Sequence, residues 1–230
     1  MHAIHSDRHK LRFVRGAATE SGPPSTATID VDAPGQGIAC GHDQLLGLDL
    51  RSACIASEHW LRGGDIIAVY EPDDPRRLRA TALWRSRAMP GLAVWELIAS
   101  ATTSRTQSDA SLAVVSDVAA AAIMWGRMVD SHLQWTDTEP AAADCVVVRR
   151  PEARDGSVLL AVHPADSRGL FVHRQDARAR IACWLFSAAA EKGVLFRGRT
   201  LAAVGPAADD TAWATKLWAA FLAAPPMLTT

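Results

Sequence analysis

Short apolar runs separated by turn-forming residues recur along the chain from about residue 27 to residue 204. Clear examples are "DIIAVYE" (65–71), "DCVVVRR" (144–150) and "SVLLAVH" (157–163). The spacers, such as "EPDDPRR" and "HPADSRG", are short and contain proline, glycine or aspartate. Spacers of this length join antiparallel neighbours, because parallel strands need a crossover of about a dozen residues or more. The pattern therefore predicts a mainly β protein built as an antiparallel β-sandwich.

Two neighbouring runs predict a hairpin whose faces differ. In "RLRATALWR" (77–85), small and apolar residues alternate with Arg79, Thr81 and Arg85. The next run, "LAVWELIASATTS" (92–104), is apolar on both faces and is interrupted by Glu96. A carboxylate in a covered strand is costly unless it is paired, so Glu96 should either contact an arginine or have a raised pKa. Arg79 and Arg85 are the nearest candidates across the hairpin.

One helix is predicted with its boundaries. Residues 209–224 carry a broad apolar face, Asp209 or Asp210 can cap the first amides, and Pro225 ends the helix. This helix should pack on the outside of a sheet. The segment 116–135 stays open between helix and strand, because its alanines favour a helix whereas Gly126 and the β-branched flanking residues do not.

The domain organisation follows from where the apolar runs begin. Residues 1–26 are polar and end in "ATESGPPSTA", which predicts a mobile arm and a turn-rich linker. The histidines of this arm, His2, His5 and His9, are interpreted as solvated. Residues 27–230 are predicted to form a single β-rich domain that ends in the helix.

Composition narrows the function classes. The formal net charge is −1, so the basic field that a nucleic-acid binder usually carries is absent, and no nucleic-acid partner is expected. No apolar run approaches the roughly 20 residues that span a bilayer, and the N-terminal stretch has no signal-peptide core. The sequence therefore predicts a cytoplasmic protein that does not bind membranes.

No metal or cofactor site is predicted. The four cysteines form no C-x-x-C pair, and isolated thiols usually serve as small buried hydrophobic residues. The glycines of "DVDAPGQGIACGHDQ" lack the helix and the βαβ units of a dinucleotide fold. In a hairpin closed by "PADSRG", His163 and His173 would lie about 10 Å apart at roughly 3.3 Å per residue, too far to share a metal ion.

The same hairpin holds the candidate catalytic pair. His163 and Asp166 lie close enough for the carboxylate to orient the imidazole as a general base or acid. Ser167 lacks a nucleophile-elbow context, which argues against a serine hydrolase. The structural alternative is a plain turn, in which Asp166 and Ser167 bind amides of their own loop.

A second set of residues suggests ligand binding. Arg79, Arg85 and Glu96 would form a charged surface suited to a saccharide or an anionic small molecule. Trp60, in "SEHWLRGGD" (57–65), could provide a stacking platform for a sugar ring. The structural alternatives are an ion pair at the sheet edge and a core tryptophan.

Blocks such as "HWLRGGDIIAVYEPD", "VHPADSRG", "EKGVLFRGR" and "APPMLTT" resemble an uncharacterised planctomycete-type family of bacterial proteins that has no assigned activity. The resemblance covers most of residues 55–230 and implies one recurrent domain, and it carries over no catalytic residue.

The candidate residues leave three hypotheses for the function: a binding or accessory module for a saccharide or anionic ligand, a carbohydrate-active enzyme using His163 and Asp166, or a structural protein.

Overall fold

The computed structural model describes residues 6–7, 10–14, 26–74, 76–106, 108–109, 111–152, 156–187 and 189–225. In chain order the strands are β1 (Ser6–Asp7), β2 (Lys10–Val14), β3 (Thr26–Asp30), β4 (Ile38–Cys40), β5 (Asp43–Asp49), β6 (Cys54–Arg62), β7 (Asp65–Pro72), β8 (Arg79–Met89), β9 (Leu92–Thr102), β10 (Ser108–Asp109), β11 (Leu112–Ala119), β12 (Ala122–Val129), β13 (His132–Thr136), β14 (Cys145–Arg149), β15 (Ser157–Val162), β16 (Gly169–Gln175), β17 (Arg178–Phe186), β18 (Ala189–Ala190) and β19 (Leu195–Gly205). A short 3-10 helix covers Pro34–Gln36, and helix α1 covers Asp210–Ala223.

The strands form two large antiparallel sheets, so the predicted mainly β sandwich with a C-terminal helix is confirmed. In the described residues, one sheet has the order β1-β2-β3-β4-β5-β11-β17-β16 and the other β13-β12-β14-β15-β19-β9-β8-β7-β6. Strands β10 and β18 pair separately. Apolar residues of both sheets share one core cluster, including Ile29 and Leu45 from one sheet and Trp84 and Leu97 from the other. The main hydrophobic core therefore lies between the two sheets.

The alternation predicted for the β8–β9 hairpin is confirmed on β8. Ala80, Ala82 and Trp84 are fully buried in the core between the sheets. Arg79 and Arg85 are more accessible and occupy alternate positions, because successive side chains of a strand point to opposite faces. The arginines therefore mark the outer face of the nine-stranded sheet.

Two buried hydrogen bonds connect the sheets. Trp84 Nε1 donates to the Leu46 carbonyl at 3.0 Å, and the Tyr70 hydroxyl donates to the Val31 carbonyl at 3.0 Å. Leu46 has a left-handed backbone (φ 55°) where the β5–β11 register shifts, and its amide donates to Ser116 Oγ at 3.1 Å. Both polar groups of this irregular residue are thus satisfied inside the protein, as buried backbone groups require.

The helix packs on the outer face of the nine-stranded sheet, as predicted. Ala214, Leu217, Trp218 and Phe221 join one buried cluster with residues of β9, β14, β15 and β19. Asp209 precedes the helix in a left-handed conformation and makes no side-chain cap. The cap comes instead from Asp210, whose Oδ1 accepts the Thr211 amide at 2.8 Å.

The structure adds detail to two parts of the sequence-based prediction. The segment 116–135, left open between helix and strand, belongs to strands β11, β12 and β13. A glycine suits position 126 of β12 because Cys145 Sγ and the Trp135 ring occupy the space that a side chain would need. The predicted polar arm, 1–26, includes strand β2, which pairs with β3 and buries Leu11 and Phe13. His2, His5 and His9 lie outside the described residues.

Candidate functional site

A cavity of about 430 Å³ opens where three neighbouring strands of the nine-stranded sheet end or begin. Strand β7 ends at Pro72, strand β8 begins at Arg79, and strand β9 ends at Thr102. The register places Arg79 directly opposite Thr102. We call this cavity the arginine pocket; it is lined by Glu71, Pro72, Arg77, Arg79, Thr102, Thr103, Ser104 and Arg105.

Positive charge predominates in the arginine pocket, where three guanidinium groups face one carboxylate. Arg79 Nε lies 2.5 Å from Glu71 Oε1, and both side chains are about half exposed. The Arg105 amide donates to Thr103 Oγ1 at 3.1 Å, whereas the Arg105 side chain contacts no hydrogen-bonding or charged partner in the described part of the chain. The pocket thus offers a cation that no carboxylate of the described residues neutralises.

Hydroxyl groups border the same charges. Thr102 and Ser104 line the cavity beside Arg79 and Arg105. Hydroxyls both donate and accept hydrogen bonds, and the Glu71 carboxylate only accepts them. The arrangement can bind the acidic group of a small ligand through arginine and can bind neighbouring hydroxyls through Glu71, Thr102 and Ser104.

Of the predicted ligand-binding residues, only Arg79 lines this cavity. Arg77 and Arg105 were not among the predicted ligand-binding residues. Arg77 belongs to the turn before β8, and Arg105 follows the polar run "TTS" just past the end of β9. The available sequence signal was a cluster of hydroxyl residues and an arginine at the end of a strand. Only the sheet register shows that Arg77 and Arg105 line the same cavity.

Glu96 does find an arginine, but not either of the two expected. It is fully buried, and its Oε2 accepts from Arg87 Nε at 3.0 Å and also from the terminal Nη2 of Arg87. Arg85, opposite Glu96 on β8, instead donates from Nε to Asp65 Oδ1 at 2.8 Å. Arg79 lies six residues from Arg85 along β8, about 20 Å at roughly 3.3 Å per residue. The predicted Arg79, Arg85 and Glu96 therefore share a sheet face without forming one site.

Trp60 lies on β6, at one edge of the nine-stranded sheet, and is 42% exposed. It is opposite Ile67, which packs with Leu83 and Ile98 on the outer face. The indole is thus an exposed aromatic beside a small apolar cluster, as a stacking platform would be, but it does not line the arginine pocket.

His163 and Asp166 lie in one turn, but the carboxylate does not orient the imidazole. His163 Nδ1 is 4.0 Å from Asp166 Oδ2, beyond hydrogen-bond distance, and Nδ1 accepts the Ala165 amide at 3.3 Å. Asp166 Oδ2 accepts the backbone amide of Arg199 at 3.1 Å. The amides of Asp166 and Ser167 both donate to the His163 carbonyl, so the loop is a turn closed by backbone hydrogen bonds.

Arg199 explains what this turn does in the fold. Its guanidinium lies 3.7 Å from Asp166 and donates to the Ala224 carbonyl at 3.2 Å, at the end of helix α1. Phe221 of the helix contacts the His163 ring, with centroids 5.7 Å apart. Burial lowers the pKa of His163 below 6.5, Arg199 lowers it further, and Asp166 opposes the change. The cluster holds the helix end against the sheet.

Three other features of the described residues bear on function. No group of three or more His, Cys, Asp or Glu side chains there could hold a metal ion. No described helix has the length and apolar character needed to cross a membrane. The cysteines there are free, and Cys40, Cys145 and Cys183 are buried, as expected for hydrophobic thiols.

No protein-family model matches the chain, and no curated protein is similar to it. Among solved structures, a proposed aldose 1-epimerase from Escherichia coli K12 is similar, with a TM-score of 0.46 and 6% identity over 78% of this chain and 96% of that chain. The galactosidase domain of an α-galactosidase–sucrose kinase has a TM-score of 0.42 and 10% identity over 89% of this chain and 40% of that chain. Both TM-scores lie below 0.5, so neither activity transfers to this protein.

Proposed function

We propose that this protein is a binding module for a small acidic saccharide, such as a uronic acid, and that the ligand occupies the arginine pocket. The observation that supports the proposal is the side chain of Arg105, which lines the cavity without an internal partner in the described residues. A guanidinium presents a rigid fork of donors that matches a carboxylate. The volume of about 430 Å³ falls within the usual range for small-ligand sites.

The role of each residue follows from its chemistry. Arg105 binds the sugar carboxylate, and Arg77 adds positive charge at the same wall. Glu71 is held by Arg79 at 2.5 Å, and its remaining oxygen accepts hydrogen bonds from sugar hydroxyls. Thr102 and Ser104 complete the polar rim. A neutral sugar makes the hydrogen bonds to hydroxyl groups but lacks the carboxylate that Arg105 binds. The pocket therefore binds an acidic sugar more tightly than a neutral one.

Isothermal titration calorimetry with galacturonate, glucuronate, galactose and glucose tests the proposal. We expect an acidic sugar to bind more tightly than its neutral counterpart, and we expect added salt to weaken binding because exposed charges are screened. Arg105→Gln should reduce affinity about tenfold, since a hydrogen bond to a charged group contributes about 1.5–3 kcal/mol.

The matched control is Arg76→Gln. Arg76 is 82% exposed, pairs with Asp74 in the adjacent loop and does not line the pocket. The Arg76→Gln substitution should leave the affinity for the acidic sugar unchanged. Equal binding of acidic and neutral sugars, no binding of any of them, or an Arg105→Gln protein with unchanged affinity would each contradict the proposal.

A further inference from the structure

A second cavity of about 430 Å³ lies on the outer face of the eight-stranded sheet. The sheet register aligns Gly47 of β5, Val115 of β11 and Ala182 of β17 in one row across this face. Paired residues of neighbouring strands point to the same face, and Val115 is the member of this row that lines the cavity. We call the cavity the Arg180 pocket, because Arg180 of β17 lines it together with Val115.

Two irregular segments build the walls of the Arg180 pocket. The 3-10 helix places Pro34 and Gly35 over β5, so closely that a side chain at Gly47 would come within 2.3 Å of the Gly35 carbonyl oxygen. The opposite wall is the stretch 48–54, which leaves β5 and leads into β6. The glycine at position 47 is therefore required by the close approach that creates the cavity.

Two polar side chains that line the cavity, those of Arg180 and Ser52, have no partner among the described residues. Arg180 is exposed and makes no ion pair within the described part of the chain, because the neighbouring carboxylate, Asp117, is bound by Arg178. Ser52 Oγ is buried and has no hydrogen-bond partner there. A buried hydroxyl without a partner costs about 1–3 kcal/mol, so such a group in a cavity wall is a candidate ligand contact.

Arg51 supplies a second guanidinium in a fixed position. It has a left-handed backbone (φ 57°), its amide donates to Asp49 Oδ1 at 3.1 Å, and its guanidinium carbon lies 4.9 Å above the Trp184 ring. Its Nη1 is 3.6 Å from Asp49 Oδ2. The stacking and the ion pair orient Arg51 at the cavity, so that two arginines and one serine hydroxyl line the same space.

We infer that the Arg180 pocket is a second binding site, for a phosphate monoester of a small organic molecule. A phosphate monoester carries close to two negative charges and three acceptor oxygens, which suit two guanidinium groups and a hydroxyl. Asp49 offsets one of the two positive charges, so the pocket keeps a net positive charge that attracts an anion. The cavity is several times larger than an inorganic phosphate ion, and the apolar lining residues Pro34, Leu50 and Val115 accommodate the organic part.

The test measures binding of glucose 6-phosphate, glucose and inorganic phosphate by isothermal titration calorimetry, in full-length Arg105→Gln protein. This background weakens the arginine pocket, so failure of the proposed saccharide site does not affect the result. We expect glucose 6-phosphate to bind more tightly than inorganic phosphate and glucose to show no binding.

Three variants in that background locate the site. Arg180→Gln should reduce affinity for glucose 6-phosphate about tenfold or more, and Ser52→Ala should reduce it several-fold. Arg127→Gln, an exposed arginine outside both pockets, should leave it unchanged. Absence of glucose 6-phosphate binding, or equal affinities in the Arg180→Gln and Arg127→Gln proteins, would overturn the inference, as would an equal affinity for glucose.

Discussion

Glu96 shows how a single residue on the outer sheet face depends on its partner. Its carboxylate has no exposed surface, and among the described residues Arg87 donates two hydrogen bonds to Oε2 whereas Oε1 has no partner. Removing one member of a buried ion pair leaves an uncompensated charge, which typically costs about 3–5 kcal/mol. Because Arg87 is one-third exposed, we expect Arg87→Met to lower the free energy of unfolding by about 2–3 kcal/mol, measured by urea denaturation at pH 7.

Two further variants separate the buried charge from the loss of an arginine. The double variant Arg87→Met with Glu96→Met should recover most of the lost stability, because no charge is then buried. Arg76→Met breaks an exposed pair with Asp74 and should change stability by less than about 1 kcal/mol. If the double variant were no more stable than Arg87→Met alone, the pair would not be the cause.

At the scale of elements, helix α1 is fastened to the sheet by Asp210 at its start. The buried Asp210 carboxylate accepts hydrogen bonds from Arg149 Nε at 2.8 Å, from Ser157 Oγ at 2.9 Å and from the Thr211 amide at 2.8 Å. Burial alone would raise the pKa of Asp210, but the bonds from Arg149 and Ser157 outweigh it, and the pKa lies below 3.8. A single side chain thus caps the helix and joins it to β14 and β15.

The pH dependence of this contribution follows from the lowered pKa. Since the folded protein holds the carboxylate more strongly in its charged form, the contribution is fully present above 3.8 and is lost as the pH falls through the lower folded-state pKa. We expect Asp210→Asn to lower the free energy of unfolding by about 2–4 kcal/mol at pH 7, and by less near pH 3. Urea titrations across this range provide the measurement.

Asp209→Asn is the matched control for the helix. Asp209 is the adjacent residue, is exposed and makes no side-chain cap, and asparagine tolerates its left-handed backbone. We expect its stability to stay within about 0.5 kcal/mol of the parent at both pH values. An equal loss in the two variants would indicate a general charge effect at the helix start.

At the scale of the whole molecule, local patterns predict the architecture but not the pockets. Alternation along β8 identifies its core face because a strand has a period of two residues, and short turns predict antiparallel neighbours. The Arg180 pocket, by contrast, combines residues near positions 35, 52, 115 and 180, which only the register of β5, β11 and β17 brings together. The partner of Glu96 was misassigned because Arg87 reaches it diagonally, not from the directly opposite position.

The hydrogen bonds between the sheets predict that the sandwich unfolds as one unit. Tyr70 and Trp84 belong to the nine-stranded sheet. They donate hydrogen bonds to the carbonyls of Val31, just after β3, and Leu46, in β5 of the eight-stranded sheet. We expect unfolding curves from tryptophan fluorescence and far-ultraviolet circular dichroism to coincide. Tyr70→Phe should shift both curves together and lower stability by about 1–3 kcal/mol, because the Val31 carbonyl is left buried without a partner.

A hydrogen bond confined to one sheet provides the comparison for Tyr70. Ser57 Oγ donates to the Val69 carbonyl across β6 and β7 at 3.2 Å; the bond is partly buried, and Ser57 itself is exposed. Ser57→Ala should lower stability by less than about 1 kcal/mol, since water can replace the lost donor. Separate transitions for the two probes in Tyr70→Phe would mean that each sheet unfolds alone. The single-domain prediction for residues 27–230 would then be wrong, because a domain requires the two sheets to share one cooperative core.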